Sequence, residues 1–251
     1  MRKLILLALL GLGVFLLVFL IRLPASKLSQ FTPAGVGLQA PSGTVWHGSA
    51  DLLVDDWNAG RLAWRFRPMA LFKLELRYEW TWSIAGGGIS GTLEIVRSET
   101  RLRNLRGELP VEPFAARLGA PAWTGRLEFD LDEMTLGRNG HADAAGELRL
   151  VGLTGRLGSP LSLGDFRWRP DAPGRSDRPG TWRGFAEDAG DGPLRLRSTL
   201  EFDARGRYRL AGDLSVSNSA SASEAGLLDS VLRAYGAPDQ QGRYPFIIQS
   251  R

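Results

Sequence analysis

The chain has 251 residues, 43% hydrophobic and 23% charged, a balance that excludes wholesale disorder. Its 31 basic residues fall to 29 once Arg2 and Lys3 are set aside, against 27 acidic ones, which excludes a nucleic-acid surface built on clustered excess charge. There is no cysteine, so disulfides, thiolate metal sites and thiol catalysis are excluded too.

The first element is an unbroken apolar or glycine run from Leu4 to Ile21. Its 18 residues make a helix of ~27 Å, close to the ~30 Å hydrocarbon core of a bilayer. Arg2, Lys3 and the free amine precede it and Arg22 follows, so the charge bias holds the N-terminus inside and sends the rest across. This organises the chain as a cytoplasmic tip (1–3), a transmembrane anchor (4–21) and a domain outside the cytoplasm (22–251). The alternative, a cleaved signal peptide, has an h-region of roughly 7–15 residues followed by a small-residue site, and Leu23-Pro24-Ala25 fits that poorly.

Pro24 to Phe31 predicts a short helix with Pro24 at its first position. Strand patterns then take over. Leu62, Trp64 and Phe66 alternate with arginines. Phe72, Leu74, Leu76, Tyr78, Trp80 and Trp82 alternate with Lys73, Glu75, Arg77, Glu79 and Thr81. A period of two over eleven residues predicts one long strand with a dry and a wet face, hence an antiparallel sheet. The same period recurs at 92–97, 126–132 and 147–150, and 194–202 with 207–216 reads as a hairpin.

Two helices interrupt: Pro113 to Leu118, and Ala222 to Tyr235. The second has a Ser221/Glu224 capping box, an apolar stripe of Leu227, Leu228, Val231, Leu232 and Tyr235, and a stop at Gly236 and Pro238. Residues 170–180, rich in Pro, Gly, Arg and Asp, are the expected subdomain boundary. The fold class expected is mainly β: a single N-terminal transmembrane helix, then a curved antiparallel sheet, meander or half-barrel, with one or two short helices.

Groups able to do chemistry are sparse. His47 and His141 lie 94 positions apart in turn-like surroundings and read as surface residues rather than metal ligands. Glu128, Asp130, Asp132 and Glu133 run along extended chain, which cannot wrap one calcium ion. Gly86-Gly87-Gly88 opens no helix, so it is no nucleotide loop, and no nucleophile elbow or zinc-protease helix occurs. No cofactor, metal or catalytic residue is expected. The remaining feature is the apolar row Phe72, Leu74, Leu76, Tyr78, Trp80 and Trp82, which is either packed core or a groove able to hold an acyl chain.

Several blocks carry a resemblance: Leu23-Pro24-Ala25, Ser42-Gly43-Thr44-Val45-Trp46-His47-Gly48-Ser49-Ala50, Gly192-Pro193-Leu194, and Leu232 through Gly236, Pro238 and Gly242 to Tyr244. With the short tip and single span, they resemble the type II secretion system protein N family (general secretion pathway protein N). The resemblance implies an accessory inner-membrane component of the machinery that exports folded proteins across the outer membrane of Gram-negative bacteria. Its domain would lie in the periplasm and its partners would be other secretion subunits. A fainter similarity to AsmA-like proteins implies the alternative, a periplasmic lipid carrier that binds phospholipid on the dry face. The signature residues Gly43, Trp46, Gly48, Gly236, Pro238 and Gly242 are structural. Gly43 and Gly48 are expected to bracket a short strand with Trp46 buried as its anchor, so that Trp46→Ala would cost ~3–5 kcal/mol.

Overall fold

A computed structural model of the chain describes residues 19–250 apart from 20, 33–34, 55–56, 118–121, 139, 141, 158, 172–178, 191, 204 and 206. The expected anchor lies outside these residues except for Phe19 and Ile21. Among the described residues no helix is long and apolar enough to cross a membrane. Two compact units divide between Ala85 and Gly86.

In the first unit a 3-10 helix, Ala25–Phe31, precedes β1 (Val36–Gly43), β2 (His47–Val54) and β3 (Trp57–Phe66). A second 3-10 helix, Pro68–Lys73, leads into β4 (Leu76–Ile84). The strands pair antiparallel in chain order. The second unit continues with β5 (Gly87–Ile95), β6 (Glu99–Pro110), β7 (Thr124–Gly137), β8 (Ala142–Leu157) and β9 (Ser159–Pro170). Then come β10 (Thr181–Asp188), β11 (Leu194–Asp203), β12 (Tyr208–Val216) and β13 (Tyr244–Gln249). Each again pairs antiparallel with the next. Two α-helices interrupt it, α1 (Glu112–Arg117) and α2 (Ala222–Tyr235).

The mainly β, antiparallel meander matches the alternating pattern, and the 194–216 hairpin pairs in continuous register from Leu194↔Val216 to Phe202↔Tyr208. Helix α2 carries its capping box: Ser221 Oγ accepts from the Glu224 N–H, and the Ser221 N–H donates to Glu224 Oε2 at 2.9 Å. Residues 170–180 lie inside the second unit, between the paired strands β9 and β10.

Three local readings are corrected. The row from Phe72 to Trp82 is not one strand. Pro68 starts a 3-10 helix and Leu74 takes the left-handed conformation (φ 57°, ψ 35°), so the strand starts only at Leu76. Pro24 is the extended residue before the first 3-10 helix and not its first helical position. The Gly43–Gly48 block is a hairpin turn: β1 ends at Gly43, β2 starts at His47, and the N–H of Thr44 donates to the His47 carbonyl at 2.9 Å. Gly43 sits at φ +85°, where a Cβ would come within 2.4 Å of the His47 oxygen. Trp46 is half-buried at this turn, its ring 4.9 Å from that of Phe66. The buried indole of the first unit is Trp64.

Candidate functional site

On β4 the side chains of Tyr78 and Trp80 do share a face, as their alternation requires. Trp80 stands opposite Trp64 of β3, and Tyr78 opposite Phe66, with rings 5.2 Å apart. That face is partly covered. Ala25 of the first 3-10 helix, Ala50 and Trp64 form a buried cluster, and Leu28, Leu62, Tyr78 and Trp80 pack half-buried against it. Burial pushes the Tyr78 hydroxyl above its ordinary pKa. The Trp64 indole N–H donates to the Thr44 carbonyl at 3.1 Å and the Trp82 indole N–H to the Ala59 carbonyl at 2.6 Å, so both polar handles are satisfied. Phe72, Leu74 and Leu76 belong to no covered face and stand exposed. The structure therefore splits the sequence-derived row: Tyr78 and Trp80 pack against the cluster, Leu76 is exposed at the start of β4, and Phe72 and Leu74 stand on an exposed loop.

In the second unit the dry face between β8 and β13 is covered by α2. Leu228 and Leu232 are buried against Leu153, Leu161, Leu163, Phe166, Leu194 and Tyr244. Polar contacts lock the helix to the last strand. Tyr244 donates its hydroxyl to Asp229 on α2, and Arg233 donates to the other Asp229 oxygen at 2.7 Å. The Tyr244 bond, then the arginine, hold the Asp229 carboxyl below its ordinary range, and the same bond pushes the Tyr244 hydroxyl up.

The opposite face is wet and laced with ion pairs. The carboxylates Asp130 and Asp132 both meet Arg106, and Glu133 meets Arg103 at 2.9 Å. Glu147 accepts from Arg149 and, at 2.7 Å, from Arg169; the Arg149 bond keeps its carboxyl below the ordinary range against the opposing effect of burial. Glu128 lines a shallow open depression of about 380 Å3 beside Arg149 and Gly107. Among the described residues no group of three His, Asp or Glu side chains could hold a metal ion. His47 is exposed at the start of β2, and His141 lies outside the described residues.

What remains chemically open is an edge. β13 has β12 as its strand neighbour, in unbroken register from Leu214↔Tyr244 to Arg209↔Gln249. Its outer row of backbone N–H and C=O groups is of the kind that pairs with an added strand. Pro245, the second residue of β13, has no N–H; beyond it Phe246–Gln249 carries no charge, and Ile247 and Ile248 are 64% and 51% exposed. The other terminal strand, β1, is blunted in the usual way: Ala40 has φ 47°, Pro41 has no N–H, and the register slips between Gln39 and Ser42.

Sequence reasoning missed β13, although the Phe246-Ile247-Ile248 run was the signal that could have found it. The loop Pro238–Tyr244 sets its start. Asp239 accepts from the N–H groups of Gln241 and Arg243, and Gly242 sits at φ +72°. Gly236 is extended, as any residue could be, and Gly48 packs its bare Cα against the Trp64 ring and the Ser42 carbonyl.

The family model for protein N of the type II secretion system matches residues 34–247, from just before β1 into β13. No significant match is found among curated proteins or solved structures.

Proposed function

This chain belongs to the type II secretion system protein N family, and from that premise we propose that it is an accessory inner-membrane subunit that supports export through protein contacts made at the edge of β13. The observation that carries the reading is the contrast between the two terminal strands: β1 is bulged and interrupted by Pro41, whereas β13 keeps unbroken register and, past Pro245, exposes Ile247 and Ile248 in an uncharged run. Natural sheets blunt their edges against stray pairing, so a regular apolar edge is the place where a partner strand belongs. The apolar run 4–21 supports an anchor in the inner membrane with the domain in the periplasm.

The reading is non-enzymatic, in keeping with the family, and the carboxylates Asp130, Glu133, Glu147 and Glu187 are paired with arginines across the wet face. The alternative, a lipid carrier, has less support: Tyr78 and Trp80, expected to line its groove, are half-buried against the cluster of Ala25, Ala50 and Trp64.

The test is site-specific photocrosslinking in secreting cells, with a photoreactive residue at Ile247 and a control at Arg169 on the wet face. Crosslinks from 247 to another secretion subunit, absent from 169, are expected. Equal or absent crosslinking at 247 would remove the edge from the proposal. Ile247→Lys should leave the protein folded and lower export of a type II substrate.

A further inference from the structure

Between β3 and β4 the chain presents Pro68-Met69-Ala70-Leu71-Phe72-Lys73-Leu74. Ala70 is buried, while Phe72 is 85% and Leu74 77% exposed, with Met69 and Leu71 exposed beside them. Water should drive such side chains inward, yet the backbone holds them out. The N–H of Ala70 donates to the Arg67 carbonyl at 3.1 Å, that of Leu74 to Leu71 at 2.9 Å, and that of Glu75 to Ala70 at 3.2 Å. Leu74 adopts the left-handed conformation that leucine disfavours. Four large apolar groups on one fastened loop form a surface knob in search of an apolar phase.

The rest of the unit identifies that phase. Leu23 and Pro24 sit at the same end of the sheet as the knob. The N–H of Val45 donates to the Leu23 carbonyl at 3.0 Å, and Pro24 bridges Thr44 in the β1–β2 turn. Phe66, the last residue of β3, donates its N–H to the Trp46 carbonyl of that same turn at 2.6 Å, and Phe66 pairs with Tyr78 near the start of β4. The turn and the knob are thus two to three strand spacings apart, roughly 10–15 Å. The 18-residue apolar run ends at Ile21, two residues from Leu23. Two residues reach at most about 7 Å. If that run crosses a bilayer, this end of the sheet lies at the headgroups.

Charge agrees. At the knob's end of β3 and β4 stand four basic residues, Arg65, Arg67, Lys73 and Arg77, against Glu75 and Glu79, which pair with Arg77 and Arg67 and leave an excess of two positive charges. Anionic headgroups favour that balance, and apolar side chains flanked by cations are the composition of interfacial anchors.

We propose that the Met69–Leu74 loop is a second membrane contact, seated at the headgroup–acyl boundary of the bilayer that the N-terminal run enters. It fixes the tilt of the first unit on the membrane, which a single point of attachment cannot do. The proposal rests on the reading of residues 4–21 as a span.

The chain is free of cysteine, so single-cysteine variants of the full-length protein can each carry one environment-sensitive fluorophore. Phe72→Cys probes the knob, Phe19→Cys the span, and Ser83→Cys the opposite end of the same sheet. The proteins are reconstituted in phosphatidylethanolamine–phosphatidylglycerol vesicles, with and without lipid carrying a spin-label quencher. Loss of emission at 19 and 72 but not at 83 is the expected result. Loss at 19 alone overturns the knob and leaves the span standing. Loss at neither overturns both. A blue-shifted but unquenched probe at 72 would show that protein, not lipid, covers the loop, and this too overturns the proposal.

Discussion

Truncating Leu228 to alanine tests whether α2 is packed on the sheet as described. Leu228 is 3% exposed and buried with Leu153, Leu161, Leu163, Phe166 and Leu194 beneath the helix. The change removes three carbon groups, worth about 2.4 kcal/mol at about 0.8 kcal/mol each. A residual cavity adds to this, and buried Leu→Ala changes span about 2.7–5 kcal/mol. A helix resting on one side of a sheet can settle into part of the space, so a loss of about 3 kcal/mol is expected. The neighbouring Leu227 is 37% exposed, and Leu227→Ala should cost under about 1 kcal/mol. The assay is urea unfolding of the full chain in detergent, followed by tryptophan emission, for which Trp123 at the border of the cluster is a local reporter. The midpoint should fall while the slope is kept. Equal costs for the two leucines, or a Leu228 cost below about 1 kcal/mol, would refute the packing of α2.

Other outcomes can be checked on the same preparation. Ser221→Ala removes the hydroxyl that caps the Glu224 N–H and should cost about 1 kcal/mol by the same urea midpoint, with no loss of fold. Gly43→Ala puts a methyl group 2.4 Å from a carbonyl oxygen at φ +85° and should destabilise by well over about 1 kcal/mol, visible as a lowered Tm. Trp46→Ala, at a half-buried turn position, should fall below the ~3–5 kcal/mol of a core tryptophan, whereas Trp64→Ala should reach it; equal losses would refute the placement. The Asp229 carboxyl is depressed below its ordinary 3.8, so its contribution is present above that value and lost as pH falls through the lower folded one. The Tyr244 hydroxyl is raised above 10.0, so its contribution is present below that value and lost as pH rises through the higher folded one. The Tm gap between the native chain and Tyr244→Phe should therefore be widest between roughly pH 5 and 9 and narrow at both extremes; a constant gap would refute the bond.

What could be read in advance follows from how local each signal is. β7, β11 and β12 are written in alternation, and α2 in a capping box with an apolar stripe, all within a few residues of where they act. β10 was not legible. Its Gly184 looks like a strand breaker, but the Trp168 indole of β9 occupies the space of a Cβ, within 2.5 Å, and that reason lies sixteen positions away. The failure at Phe72 and Leu74 has a different cause. Their alternation is real, but Pro68 and a left-handed Leu74 turn it into a loop, and period alone cannot see a φ angle. The candidate edge at β13 escaped because an edge strand exposes parts of both faces, which erases the dry–wet pattern.

Each strand of the second unit takes as its partner the strand that follows it, and apart from β6–β7 and β12–β13, which are joined through helices, the pairings close short loops. Such a topology has low contact order, and loop closure costs it little at each step. A chain delivered from its N-terminus can therefore assemble this sheet hairpin by hairpin, without any strand waiting for a partner still to be delivered. The arrangement works as a zipper with one direction. Its last tooth is β13, separated from β12 by the whole of α2, and only when it docks does Tyr244 reach Asp229 and fasten the helix. An open edge at β13 would then exist only on a finished domain, so that any strand it recruits would be recruited by folded protein alone.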